Sequence, residues 1–209
     1  MFKINRTLAE KALADVNSKT DKGSSSNDVF DMFKLTMCNI IEIQSALSKY
    51  DMCNWVVYAD RWINNRLSLN TRNYGRGAIV YADLGAQNFR YEPSYSHPCI
   101  ILKEKRDTVL LVPCSSKKYG KGYSDIIDAD VSDGFRINTG VQVYAFRWVH
   151  KNRIISAAGR ASGSLLDKID LEMLKLIPTY KLEITRLNAQ IAALQQEVER
   201  LKKKIPDSE

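Results

Sequence analysis

The sequence predicts an α+β protein in which a small twisted β-barrel follows an N-terminal helical hairpin and precedes a C-terminal coiled-coil helix. Three observations carry this. Up to about Leu67, apolar residues recur at three- and four-residue spacing, the period of helices with one buried face. From Gly75 the pattern changes to short runs rich in Val, Ile, Leu and Tyr separated by loops, the mark of strands. After Pro178 the apolar spacing alternates four and three throughout, a heptad repeat. The implied organisation is a helical region over 1–73, a barrel domain over 74–177 and a helix over 178–209.

Residues 1–22 read as a short amphipathic helix around Leu8, Ala12, Leu13 and Val16, broken by the Gly/Ser-rich linker Lys22–Asn27. Asn27 or Asp28 caps the next helix, which places Val29, Phe33, Met37, Ile40, Gln44 and Leu47 on one face. A further helix over about Met52–Leu67 aligns Trp55, Tyr58, Trp62 and Ile63, and core packing within an αα-hairpin is their expected role.

In the middle of the chain, strands are expected over Ala78–Leu84, Cys99–Glu104 and Thr108–Pro113. A turn at Asn138–Gly140 leads into a strand Val141–Phe146, and another strand begins in Lys151–Ile155. Several short strands with few helices among them suit a small barrel. The loop from Leu84 to Pro98 is long for a compact domain, and loops of that length are often functional. It carries Glu92 and His97, while the third strand ends in Ser115 and Ser116. If neighbouring strands pair, a carboxylate, an imidazole and a hydroxyl meet at one rim.

A length of 209 residues with 44% hydrophobic and 26% charged content suits one medium core with appendages. No run approaches the roughly 18 apolar residues of a membrane span, and charges interrupt Met1–Ser18 where a secretory leader needs an apolar block. A cytoplasmic protein without a membrane partner is expected. Cys38, Cys53, Cys99 and Cys114 sit in apolar contexts without metal-ligand spacing, so buried thiols are expected and neither a metal nor a cofactor. The net charge of +7 permits a polyanionic partner such as RNA.

Past Pro178, Ile184, Ile191, Val198 and Ile205 occupy one core position of the heptad and Tyr180, Leu187, Leu194 and Leu201 the other. β-Branched residues at a with Leu at d favour a parallel two-stranded coiled coil. The Lys202–Lys204 cluster reads as a solvated end suited to a helix C-terminus.

An ordered series of segments resembles the MazF/PemK family of toxin endoribonucleases. Arg76–Leu84 is similar to the family's opening strand, His97–Leu102 to its Arg-Pro-x-x-Val-hydrophobic strand, and Val112–Ser116 to its Pro-x-Thr-Ser strand end. Arg147 through Arg153, Gly159 and a closing helix near Leu165–Ile177 continue the series. The resemblance implies an SH3-like barrel that often dimerises, metal-independent cleavage of single-stranded RNA to a 2′,3′-cyclic phosphate and a 5′-hydroxyl, and an antitoxin that blocks the RNA groove. Carried across by position, Glu92 matches the family's loop glutamate, Ser115 replaces its threonine, and His97 stands where its catalytic arginine usually stands. Ala78 for the usual Asp and Tyr91 for the usual Gly are further departures.

The substitution at position 97 keeps proton-transfer chemistry available, because a histidine titrates near neutrality whereas an arginine holds its proton. The catalytic expectation is therefore Glu92, His97 and Ser115. Arg90, Lys117, Lys118, Lys121 and Arg147 are the expected phosphate contacts, with Ser116 beside them. Tyr91, Tyr95 and Tyr119 are the expected stacking partners for unpaired bases. The second histidine, His150, reads as a surface or RNA-contacting residue. A catalytically inactive RNA- or protein-binding module that oligomerises through its coiled coil is the alternative reading.

Overall fold

The computed structural model describes residues 1–88 and 90–202. The chain divides into two compact units, 1–60 and 61–209, the boundary falling within a helix.

In the first unit, α1 (Arg6–Leu13) is capped by the Asn5 side chain, which accepts from the Leu8 amide at 3.1 Å. Helix α1 is shorter than the stretch 1–22, because the chain leaves helical geometry at Asp15 and passes through turns to Ser26. Helix α2 (Asn27–Gln44) follows, and the chain N-terminus is tied to it through Asn39, whose side-chain amide donates to Phe2 O at 2.8 Å, and Glu42. Helix α3 (Lys49–Asn65) completes the N-terminal helices. None of the three buries a residue. The aromatics expected in a hairpin core are therefore not core: Trp62 is about half exposed, as is Phe33 on α2. Cys38 and Cys53 are exposed as well, contrary to the expectation for all four thiols, whereas Cys99 and Cys114 are buried.

In the second unit, seven strands form an antiparallel, small-barrel-like sheet: β1 (Ala78–Asp83), β2 (Ser96–Glu104), β3 (Thr108–Ser115), β4 (Ile126–Ala129), β5 (Thr139–Gln142), β6 (Arg147–His150) and β7 (Ile154–Arg160). The hydrogen-bonded order is β4-β5-β3-β2-β1-β7, and β6 also pairs with β3. Strand β3 is the hub. One edge pairs with β2 (Cys99 opposite Pro113), and the other is shared between β6 (Leu110 opposite Trp148) and β5 (Cys114 opposite Val141). Among the described residues the path ends at β4 and β7 without closing.

Alternate side chains of β1–β3 enter two cores, because side chains on a strand alternate between faces. Val80, Ala82, Ile101, Val109 and Leu111 join Val149 and Ile154 from β6 and β7. Ile79, Ile100, Leu102 and Val112 face the other way, against Leu165 and Ile169 of α4 (Gly163–Lys175). Burial on both faces explains why these strands read as nearly continuous apolar runs. Helix α4 starts at the Ser162 hydroxyl, which accepts from the Leu165 amide at 3.1 Å and donates to buried Asp133 at 2.6 Å.

The expected strands begin or end elsewhere: β1 stops at Asp83, β2 starts at Ser96, so that His97, expected in the loop, lies on the strand, and β3 runs on to Ser115. Thr139–Gly140 is already strand, and the run from Val141 stops at Gln142, where a 3-10 turn over Val143–Ala145 takes over. Lys151–Arg153 is also a 3-10 turn, so β7 begins only at Ile154. Helix α5 (Pro178–Lys202) ends the described chain, and Lys203, Lys204 and Ile205 lie outside the described residues. No described helix is long and apolar enough to cross a membrane.

The side chain of Lys151 is buried, and its Nζ lies 2.6 Å from Glu104 Oε1 and donates to Arg72 O at 3.2 Å. Glu104 Oε2 accepts from the amides of Tyr74 (3.0 Å) and Gly75 (2.7 Å). Burial raises the Glu104 carboxyl, but Lys151 and the two amides outweigh it and hold the group below the usual glutamate range. The stability this confers is complete above the unfolded glutamate value of about 4.3 and is lost as pH falls through the lower folded value. Glu104→Gln strands a buried ammonium and is expected to cost about 3–5 kcal/mol at pH 7, with the gap to wild type closing at low pH. Denaturant unfolding across that pH range measures both, and a variant as stable as wild type at pH 7 contradicts the assignment.

Candidate nucleic-acid interface

The β1–β2 connection is built on Asp83, the last residue of β1. Its buried carboxylate pairs with Arg61 of α3 and accepts from the Gly85 amide at 3.1 Å, and its carbonyl accepts from Arg153 Nη1 at 3.3 Å. The loop then closes on itself. Leu84 N donates to Tyr95 O (2.8 Å), Tyr95 N donates to Gly85 O (2.6 Å), and the Asn88 amide donates to Leu84 O (3.1 Å) and Pro93 O (2.6 Å). Arg90 and Tyr95 hold left-handed backbone with φ of 47° and 63°, a conformation rare for non-glycine residues. The result presents Tyr91, which is 93% exposed, and Glu92 to solvent.

His97 sits on β2 opposite Ala82 of β1, and its Nδ1 lies 3.2 Å from the carbonyl of Cys114 on β3. A carbonyl only accepts, so Nδ1 carries the proton and Nε2 is the basic nitrogen. Burial lowers the pKa of the ring below 6.5, and the charges of Arg147 and Lys117 add to this, outweighing the main-chain bonds to Cys114 and Ser94 that favour the protonated form. Burial pushes both the Cys99 and Cys114 thiols well up, so neither supplies a thiolate at this rim.

Ser115 ends β3 opposite Gly140 of β5, and the 3-10 turn Ser116–Lys118 follows it. Gly140 has a steric reason: a Cβ there would lie 2.7 Å from the Ile126 side chain and 2.9 Å from the Lys118 backbone. Its absence lets this turn pack down on β5. Lys118 Nζ then reaches over the Tyr123 ring, 5.3 Å from its centroid.

An open groove of about 620 Å³ is lined by Tyr91, Glu92 and Pro93 of the β1–β2 loop together with Lys118, Tyr123, Asp125, Ile126, Gln142, Tyr144, Ala145, Phe146 and Arg147. Of the residues singled out in the sequence, the groove gathers Tyr91, Glu92, Lys118 and Arg147. His97, Ser115, Ser116, Lys117, Arg90 and Tyr95 do not line it. His97 feels the charge of the groove residue Arg147 and that of Lys117, whereas Arg90 stands exposed in the loop and Tyr95 closes the loop base. His150 opposes Thr108, at the far end of β3 from Ser115. Among the described residues, no group of three or more His, Cys, Asp and Glu side chains is placed to hold a metal ion.

Sequence reasoning missed Tyr123, Gln142, Tyr144 and Phe146. Tyr144 and Phe146 look like alternate members of a strand, but the 3-10 turn after Gln142 leaves both at the surface, 57% and 40% exposed. Only the glycine-rich approach to Tyr123 (Tyr119–Tyr123) signalled an exposed aromatic in advance.

An antiparallel α+β domain, small-barrel-like, whose open groove combines aromatic rings with the cations Lys118 and Arg147 and the carboxylates Glu92 and Asp125, defines the class of protein. The model of the PemK-like, MazF-like toxin family of type II toxin-antitoxin systems matches residues 75–177, and this segment belongs to that family. No curated protein gives a significant match. Among solved structures, the chain is similar to an endoribonuclease in complex with its cognate antitoxin from a mycobacterial species, with 16% identity, 50% of this chain and 93% of that chain covered, and a TM-score of 0.37. It is similar to a chain of the MazE-MazF structure from Deinococcus radiodurans, with 15% identity, 48% and 91% covered, and a TM-score of 0.38. The Mycobacterium tuberculosis toxin MazF-mt6 shows 15% identity, 46% and 89% covered, and a TM-score of 0.36.

Arg147→Met removes a cation that disfavours imidazolium and is expected to raise the titration midpoint of His97 toward 6.5. NMR of the two histidine rings, with His97→Gln to assign the signals, measures it. An unchanged midpoint would show that Arg147 does not face the ring.

Proposed function

We propose that the barrel domain is a metal-independent endoribonuclease that cuts single-stranded RNA by attack of the 2′-hydroxyl on the adjacent phosphate. The products are a 2′,3′-cyclic phosphate and a 5′-hydroxyl. The observation that carries this reading is the His97 ring, with Nδ1–H held by the Cys114 carbonyl and its pKa lowered by burial and by Arg147 and Lys117. A lowered pKa favours the neutral ring, and with the proton on Nδ1 the nitrogen left to act as a base is Nε2.

In this mechanism Nε2 of His97 takes the 2′-hydroxyl proton as the O2′–P bond forms. The P–O5′ bond then breaks and a proton passes to the departing 5′-oxygen, Glu92 partnering the imidazole in the transfer. Arg147, Lys117 and the Ser115 hydroxyl donate to the phosphoryl oxygens as charge develops there. Lys118 and Arg90 contact flanking phosphates, with Ser116 beside them. Tyr91 stacks on an unpaired base, and Tyr95 supports the loop that presents it. The family match adds an antitoxin as protein partner, and a segment lying over Tyr91, Lys118 and Arg147 would exclude RNA. The cytoplasm is the compartment where toxin, antitoxin and RNA meet.

The test is incubation of purified protein with single-stranded RNA in EDTA. Cuts bearing cyclic phosphate ends are expected, reduced about 100-fold or more by His97→Ala and strongly by Glu92→Gln. With His97 as base, kcat/KM rises with pH on the acid side, its midpoint below 6.5, and this limb disappears in His97→Ala. Binding without cleavage across many RNA sequences would instead mark the domain as a binding module.

A further inference from the structure

Helix α5 carries apolar side chains that its own domain does not use. Helix α4 buries Leu165 and Ile169 completely, whereas no residue of α5 is buried. Leu187, Ile191, Leu194, Val198 and Leu201 form one narrow stripe, each between 45% and 66% exposed. The ion pairs Glu183–Arg186, Glu197–Arg200 and Glu199–Lys202 all fall outside this stripe and leave it uninterrupted. A stripe this regular, with Ile or Val at a and Leu at d, is the surface two identical helices bury against each other in knobs-into-holes packing.

We infer that α5 pairs with α5 of a second copy of this chain as a parallel, in-register two-stranded coiled coil. Charge complementarity selects the partner and its direction. In parallel register the residue at g faces the e position of the next heptad on the partner helix. This sets Glu197 opposite Lys202, Gln190 opposite Gln195 and Glu183 opposite Asn188, with no like-charged pair across the seam. Antiparallel pairing of the same stripe brings Lys181 against Lys202. Both barrel domains then leave the coil at its Pro178 end. Two copies of the groove are thereby held together at high effective concentration, able to engage one polyanion at two points. The pairing goes beyond the RNA reading and stands whether or not the groove cleaves.

The experiment uses the full chain. Light scattering is expected to give a dimer for wild type and a monomer for Ile191→Asp with Leu194→Asp, with near-unchanged thermal unfolding of the barrel as the folding control. For direction, Leu201→Cys is placed in a background with Cys38→Ser and Cys53→Ser, and its mass is checked before oxidation. In the parallel pair the two introduced thiols meet within the roughly 4.4–6.8 Å Cα separation a disulfide needs, so oxidation is expected to give a covalent dimer on a non-reducing gel. In the antiparallel pair they lie roughly 25 Å apart along the axis and do not join. A monomeric wild type, a dimer that survives the double Asp substitution, or a dimeric Leu201→Cys variant that does not crosslink each overturns the inference.

Discussion

One buried ion pair links three parts of the barrel that are distant in sequence. Lys151 enters from the turn between β6 and β7, and Glu104 from the end of β2. Together they hold the segment before β1 through Arg72 O and the amides of Tyr74 and Gly75. A charge buried this deeply is tolerable only with full pairing, so the three segments must arrive together. Around the pair, the Asn70 side chain donates to Lys151 O at 2.9 Å and its backbone amide donates to Asn152 Oδ1 at 3.0 Å, which extends the tie to the chain leaving α3. The strand that begins just after this clasp, β1, contributes Ile79 to one core and Ala78, Val80 and Ala82 to the other.

The far end of the same sheet holds the candidate site. Strand β3 runs from Thr108 near the clasp to Ser115 at the rim, and its second edge changes partner from β6 to β5 along the way. That exchange brings β5 and its following turn beside the end of β3, and with them Tyr144, Phe146 and Arg147. The rim is thus assembled from segments that no single motif contains. His97 gains its electrostatic character in the same way, since Cys114, Arg147 and Lys117 come from β3, β6 and the intervening turn.

Particular residues show how far the sequence could be read. The Val- and Ile-rich runs of β1–β3 were legible because burial on both faces leaves few polar interruptions. The polar pair after Pro113 marked the end of β3, and Glu92 in its long loop was recognisable as a groove residue. Tyr144 and Phe146 were not, because an alternating pattern reads as strand whether or not the backbone tightens into a 3-10 turn. Cys38, Cys53 and Trp62 misled for a related reason: helical periodicity shows that a face is apolar and says nothing of what covers it. Arg61 and Lys151 gave no signal, since an ion pair between distant segments leaves no local spacing.

By itself the sequence determined the class of the protein: helices first, short antiparallel strands next, a heptad helix last, and an ordered series of segments that marks the family. These follow from local periodicity and strand or helix preference, which act over a few residues. The tertiary structure alone decided which polar residues come close together. It set Glu92 with Arg147 in the groove, placed His97 on the Cys114 carbonyl beside it, and left His150 at the other end of the barrel. The reason is physical: pairing register and long-range electrostatics act between residues brought close only by folding.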